Sequence, residues 1–186
     1  MDQKPFRQRT IDEFLDDLGS SAPAPGGGAA AGLLGAQACA LAEMVCHLTA
    51  ANKNYADFHD KANEYLSVFN MARSIFLDLM DEDAANFLEL MKTLREIRSL
   101  PLDERQEKQW DAFKKAISVP QQMAQTMSEL LPCFTDLLFH GNKNAISDTV
   151  MAAQSAIACI HASIINVCLF YTSDAADDLT RVDLGG

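Results

Sequence analysis

The sequence predicts an all-α, single-domain bundle of about five to six helices, one of them long. Apolar residues recur at helical spacing, with no convincing strand alternation. An uninterrupted stretch from Phe58 to Ile97 carries one heptad stripe, and Gly and Pro clusters cut the rest of the chain into helix-length pieces. The 186 residues suit one domain, and 48% hydrophobic with 22% charged content is enough to bury a core.

The first helix opens at Thr10, where Thr10 and Glu13 have capping-box spacing. Ile11, Phe14, Leu15 and Leu18 form its apolar stripe, and Gly19 closes it. Ser20 to Gly28 follows as a loop stiffened by Pro23 and Pro25. A helix of small residues comes next, with Gly28, Gly32, Ala36 and Ala40 every four residues, so a neighbouring helix can approach one face closely. It ends near Ala51 to Tyr55. Residues 29 to 51 are long enough to span a bilayer, but Gln37, Glu43 and His47 interrupt them, and Ala and Gly contribute little transfer energy. A helix buried in protein is expected, with no membrane partner.

The long helix places Leu66, Phe69, Arg73, Phe76, Met80, Asp83, Phe87, Leu90, Leu94 and Ile97 on one stripe. Arg73 can reach solvent from the stripe's edge along its long stem. Asp83 is too short for that, so its inward carboxylate needs a partner or a polar cavity. After a break at Pro101, Trp110, Phe113 and Ile117 mark a fourth helix. Ser118, Pro120 and Gln121 predict a restart, with a kink at Pro132. Gly141 to Asn144 forms a polar loop, and Ser147 and Asp148 introduce a last helix with the stripe Val150, Ala153, Ile157, His161 and Ile164.

From Cys168 the text changes character. CLFYTSDAADD is close to one translated frame of a transposase adapter used in sequencing libraries. The expectation is a helical domain over residues 1–167 and a non-native tail over 168–186, leaving the last helix without its natural continuation.

A net charge of −11 excludes nucleic acid as a partner, because phosphates would be repelled. Five cysteines without a CxxC pair read as buried thiols in a reducing compartment, and four scattered histidines lack zinc-ligand spacing. The amino terminus has no apolar stretch of signal-peptide type, so a cytoplasmic location is expected.

Two patches carry possible chemistry. Pro23-Ala24-Pro25-Gly26-Gly27-Gly28 serves either as a tight connection or as a cradle of unhindered amides at a helix start. It lacks the Gly-Lys-Ser/Thr of a nucleotide-binding loop. Gly141-Asn142-Lys143-Asn144 with Ser147-Asp148 either ends one helix and caps another or holds a ligand. In combination, PAPGGGAAA, Ala42 to Val45, Leu48-Thr49, Lys53, Tyr55, Asp83 with Phe87, Ala116 to Pro120, GNKNAISD and Asn166 resemble the formiminotetrahydrofolate cyclodeaminase and methenyltetrahydrofolate cyclohydrolase family.

The resemblance implies an all-helical homodimer acting on a tetrahydrofolate one-carbon adduct, with no metal and no cofactor, the substrate itself being the carbon carrier. In the cyclodeaminase the aniline nitrogen attacks a formimino carbon and ammonia leaves. In the cyclohydrolase water opens the methenyl ring. Each passes through a tetrahedral centre that needs a proton donor and acceptor. The residues suited to acid–base work are Asp148 with Lys143 beside it, and Asp83. Asp83 has three open roles: holding the pterin amino group, pairing with Lys143, or satisfying buried amides. Pro25, Gly26, Gly27, Gly28, Asn142, Asn144 and Lys53 are the substrate-binding candidates. The two polar turns are expected to converge on one pocket. A competing class is a non-catalytic helical binding or assembly module, with the small-residue helix as its seam.

Overall fold

A computed structural model describes residues 4–182, with side chains through Leu169. Among the described residues the elements are α1 (Ile11–Leu18), α2 (Gly27–Ala50), α3 (His59–Glu96), α4 (Leu102–His140) and α5 (Ile146–Val182), joined by short 3-10 turns. The segment read as foreign continues α5 through Val182; residues 183–186 and the side chains beyond Leu169 lie outside what is described.

Helix α1 starts as its sequence dictates. Thr10 Oγ1 accepts from the Glu13 amide at 3.2 Å, and the Thr10 amide donates to the Glu13 carboxylate at 2.7 Å. Phe14, on its buried face, packs against Ala29 and Met80.

Helices α2 to α5 form an up-down four-helix bundle in which α2 and α4 each touch both α3 and α5. The antiparallel order is visible in the pairs. Gly28, Gly32 and Gly35 of α2 meet Asp83, Met80 and Phe76 of α3, while Gly27 meets Asn166 of α5. Between α3 and α4, Phe69 stacks on Phe134 at 4.9 Å and Tyr65 donates to Asp136.

Small residues on α2 set this spacing. A Cβ at Gly32 would sit 3.0 Å from the Met80 Cα, so α3 is in near-backbone contact. A Cβ at Gly35 would overlap the ring of Phe76, which is fully buried in the main core. Gly35→Ala is therefore expected to cost about 1–3 kcal/mol through overpacking. A chemical-denaturation midpoint equal to wild type would contradict that contact.

The expected restart at Pro120 is corrected: α4 is continuous over 39 residues, with Pro132 also inside it. Buried Val119, Pro120 and Met123 lock that segment into the core, and the packing outweighs the lost ladder bonds. Arg73 pairs with Glu43 at 2.6 Å as well as reaching solvent. On α5 the buried face is the small one, Thr149, Ala152, Ala156, Cys159 and Ser163, whereas Val150, Ile157, His161 and Ile164 point outward. The close α2–α5 approach leaves no room for the larger side chains. Cys39, Cys46 and Cys159 are buried as expected, but Cys168 is exposed.

Candidate functional site

Helix α2 begins late, and the site follows from that. At its end of the bundle α3, α4 and α5 continue past Gly27, so one corner of the four-helix square is vacant. A cavity of about 340 Å³ fills the corner. The Pro23-Ala24 loop roofs it, and Gly26 to Gly28, Asp83, Phe87, Ala116, Asn166 and Leu169 line it. The Ala24–Pro25 peptide is cis. A larger groove between α3 and α4 has Glu89, Glu96, Lys108, Asp111 and Lys115 on its walls and is open to water.

Among the described residues Asp83 is the only charged group on the cavity wall. Its position on the inward stripe of α3, four residues before Phe87, puts both on one face. Its carboxylate lies against Gly28, where a Cβ would collide with Oδ1, so a glycine is required for this close approach. The Ala29 amide, one of the unpaired donors in the first turn of α2, hydrogen-bonds it. Burial nevertheless prevails and pushes the Asp83 carboxyl up to about 6 from an ordinary 3.8, the Ala29 bond opposing the shift. Of the roles open to Asp83, the structure shows the satisfied buried amide, on a carboxyl able to exchange a proton near neutral pH.

Asn166 stands across from Gly27. Its Nδ2 donates to the Ala162 carbonyl at 2.8 Å. Because a carbonyl only accepts, the amide is oriented with Oδ1 turned away from its own helix.

The second polar turn is elsewhere. The Asn142 amide donates to Thr49 Oγ1 at 3.0 Å and Asn142 Nδ2 to the Leu48 carbonyl at 3.0 Å, fixing the turn to the far end of α2. From Gly28 to Thr49 is roughly 30 Å of helix. The expectation that both turns line one pocket is thus corrected for a single chain. Up-down topology puts α2's start and the α4–α5 connection at opposite ends. Within one chain the suggested Asp83–Lys143 pairing is likewise not formed: Lys143 Nζ donates to the Leu138 and Phe139 carbonyls at 2.9 and 2.8 Å, capping α4.

Lys143, Asn144, half-buried Asp148 in the first turn of α5, and exposed Lys53 share that far end. Two Asn-Lys-Asn turns lie side by side there. Asn52 and Asn142 each accept from the amide two residues on, and the Lys143 amide donates to Tyr55 Oη at 2.8 Å. Of the nominated residues, Gly26, Gly27, Gly28 and Asp83 meet in the cavity, and Pro25 belongs to its roof loop. Asn142, Lys143, Asn144, Asp148 and Lys53 form the remote cluster. The site candidates read from the sequence include neither Phe87 nor Ala116. The i, i+4 spacing from Asp83 would have flagged Phe87, and the spacing back from Pro120 would have flagged Ala116.

The outer face of α2 and α5 is apolar. Leu33, Met44 and Leu48 are exposed on α2, and Val150, Met151, Ile157, Ile164 and Ile165 on α5. No Asp, Glu, Lys or Arg occurs from Thr149 to Ser173. Residues 27–50 and 143–169 are each long and apolar enough to cross a membrane by length and composition, and half of the former is buried in the bundle.

Comparison with known proteins gives a consistent picture. The family model described as formiminotransferase-cyclodeaminase matches residues 10–173, which includes the first part of the segment from Cys168. A methenyltetrahydrofolate cyclohydrolase of Methylorubrum extorquens is 33% identical over 164 residues, covering 85% of this chain and 77% of that protein. A formimidoyltransferase-cyclodeaminase of Mus musculus is 27% identical over 170 residues, covering 90% of this chain but 31% of the mouse protein. The crystal structure of a formiminotetrahydrofolate cyclodeaminase from Thermotoga maritima superposes with a TM-score of 0.79 at 30% identity, covering 89% of this chain and 80% of that one.

Proposed function

The chain belongs to the formiminotransferase-cyclodeaminase family, and on that premise we propose that it is a folate one-carbon enzyme whose reaction centre is the cavity around Asp83. It acts on a tetrahydrofolate adduct, either as formiminotetrahydrofolate cyclodeaminase or as methenyltetrahydrofolate cyclohydrolase. The observation that carries this reading is a buried carboxyl, raised by its burial, on the wall of a cavity that has no other charged group among the described residues and is large enough for a bicyclic head group.

Both reactions need the same service at the one-carbon centre. As the aniline nitrogen or water adds, the nucleophile sheds a proton; as ammonia or the ring nitrogen departs, it gains one. A carboxyl titrating at about 6 can do either, and enclosure holds the reacting nitrogen and carbon together. No metal ion or further cofactor is proposed.

The working unit we propose is a homodimer in the cytoplasm, joined over the uncharged α2/α5 face. Charge depletion over a surface of this extent is the signature of an interface core. An isologous pairing with α5 antiparallel to its mate would carry the Asn142–Asp148 turn of one protomer to the cavity of the other. Asp148 would then complete the acid–base pair, with Asn142, Asn144 and Lys53 as substrate contacts. A face closing on a membrane instead would make the protein detergent-dependent.

Incubation with 5-formiminotetrahydrofolate or with 5,10-methenyltetrahydrofolate, following the methenyl absorbance up or down, tests the activity. Turnover of neither adduct would refute the reading. Ile157→Glu, placing a charge in the middle of the apolar face, is expected to yield folded monomers by light scattering and to abolish turnover.

A further inference from the structure

We propose that the cavity reads the hydrogen-bond donor edge of the pterin head through two neutral acceptors, the Asn166 side-chain oxygen and the Ala116 carbonyl that Pro120 sets free. This rests on the folate reading above and adds to it the residues that orient the substrate.

Pro120 sits inside the continuous helix α4 and has no amide hydrogen. Its α-helical acceptor is the carbonyl four residues back, which belongs to Ala116. Ala116 is buried and lines the cavity. Buried carbonyls in proteins are almost always paired, so one deprived of its ladder donor at a cavity wall suits a ligand that brings a donor. The neighbouring carbonyl is differently served: Lys115 O accepts from Ser118 Oγ at 2.8 Å and from Asn86 Nδ2 at 3.4 Å.

Asn166 supplies the second acceptor. Its Nδ2 is committed to Ala162 O, which leaves Oδ1 as the amide's acceptor on a residue that lines the cavity beside Gly27. Phe87 adds a flat apolar wall to the same cavity, suited to a fused ring. A reduced pterin presents such an edge, with its exocyclic 2-amino group next to a ring N–H. Two neutral acceptors bind that edge without competing for the Asp83 proton, so orientation and proton transfer fall to different residues. Ala116 and Asn166 are positioning residues here, not catalytic ones.

The test is P120A, which restores the missing amide donor to α4 without removing any side chain from the cavity. Binding is measured by calorimetry with 5-formyltetrahydrofolate and with its analogue carrying hydrogen in place of the 2-amino group. Wild type is expected to prefer the amino form. P120A is expected to bind that form about five- to tenfold more weakly, to discriminate less, and to melt at or above the wild-type temperature. Asn166→Leu, which keeps the backbone intact, should reduce the same discrimination. Equal discrimination in wild type and P120A overturns the inference while leaving the folate reading intact if the wild type still turns over an adduct. A wild type that binds neither compound overturns both.

Discussion

Asp83→Asn is expected to slow turnover by about a hundredfold or more while raising thermal stability at neutral pH. The amide keeps an oxygen for the Ala29 amide and nearly the same volume beside Gly28, so the fold has no reason to change. What disappears is the exchangeable proton. The stability effect has a definite sign. Asp83 holds its proton more tightly when folded, at about 6, than at its ordinary 3.8. Its ionisation therefore opposes folding, and the stability it removes is lost progressively as pH rises from about 4 through about 6, then stays lost. That displacement corresponds to at most about 3 kcal/mol, less in practice because the cavity admits water, and a rise of a few degrees in Tm follows. Melting curves of wild type and variant should coincide near pH 4, separate as pH rises to about 6, and stay apart by a constant margin above it. The acidic limb of the wild-type rate profile, centred near pH 6, should be absent from the variant. Near-normal turnover would remove Asp83 from the chemistry.

Asp148→Asn is expected to be as inactive as Asp83→Asn, and mixing the two inactive proteins should restore about a quarter of wild-type activity. In one chain the two carboxylates lie at opposite ends of α2, roughly 30 Å apart, so no intact site can contain both. In the two-fold dimer proposed above, each cavity would combine Asp83 of one protomer with Asp148 of its mate. Random exchange makes half the dimers mixed, and each mixed dimer has one cavity with both carboxylates and one with neither. Denaturing the two variants together and refolding them gives the readout. Failure to recover activity, with mixed dimers demonstrated by differential tagging, would show that Asp148 does not serve the Asp83 cavity. The two outcomes separate the residues: loss in Asp83→Asn alone leaves the cavity as the centre and makes Asp148 a helix-start residue.

Much of the architecture was legible along the chain. The Thr10–Glu13 capping box and the heptads of α3 depend on contacts a few residues apart, and the structure shows both; of the small-residue stripe of α2, Gly28, Gly32 and Ala36 are buried whereas Ala40 is exposed, Gly35 taking its place against α3. Asp83 was legible for the same reason, since a short carboxylate on an apolar stripe is conspicuous wherever the helix packs. Pro120 misled, because local chemistry says that proline interrupts a helix and only the surrounding core says that it does not. The stripe on α5 misled in the opposite direction. Periodicity identified Val150, Ile157 and Ile164 as one face but could not say whether that face met the chain's own core.

Local patterning thus determined that this protein is helical, where most helices begin, and which carboxylate points inward, because these follow from hydrogen bonds and side-chain spacing within a few turns. Tertiary structure alone decided that α2 starts short of its neighbours and so leaves a cavity, that Gly28 brings the α2 backbone against Asp83, and that the two polar turns occupy opposite ends of the bundle. Those facts depend on how helices of unequal length are laid side by side, and residues distant in sequence are related there by packing distance, which no spacing along the chain encodes.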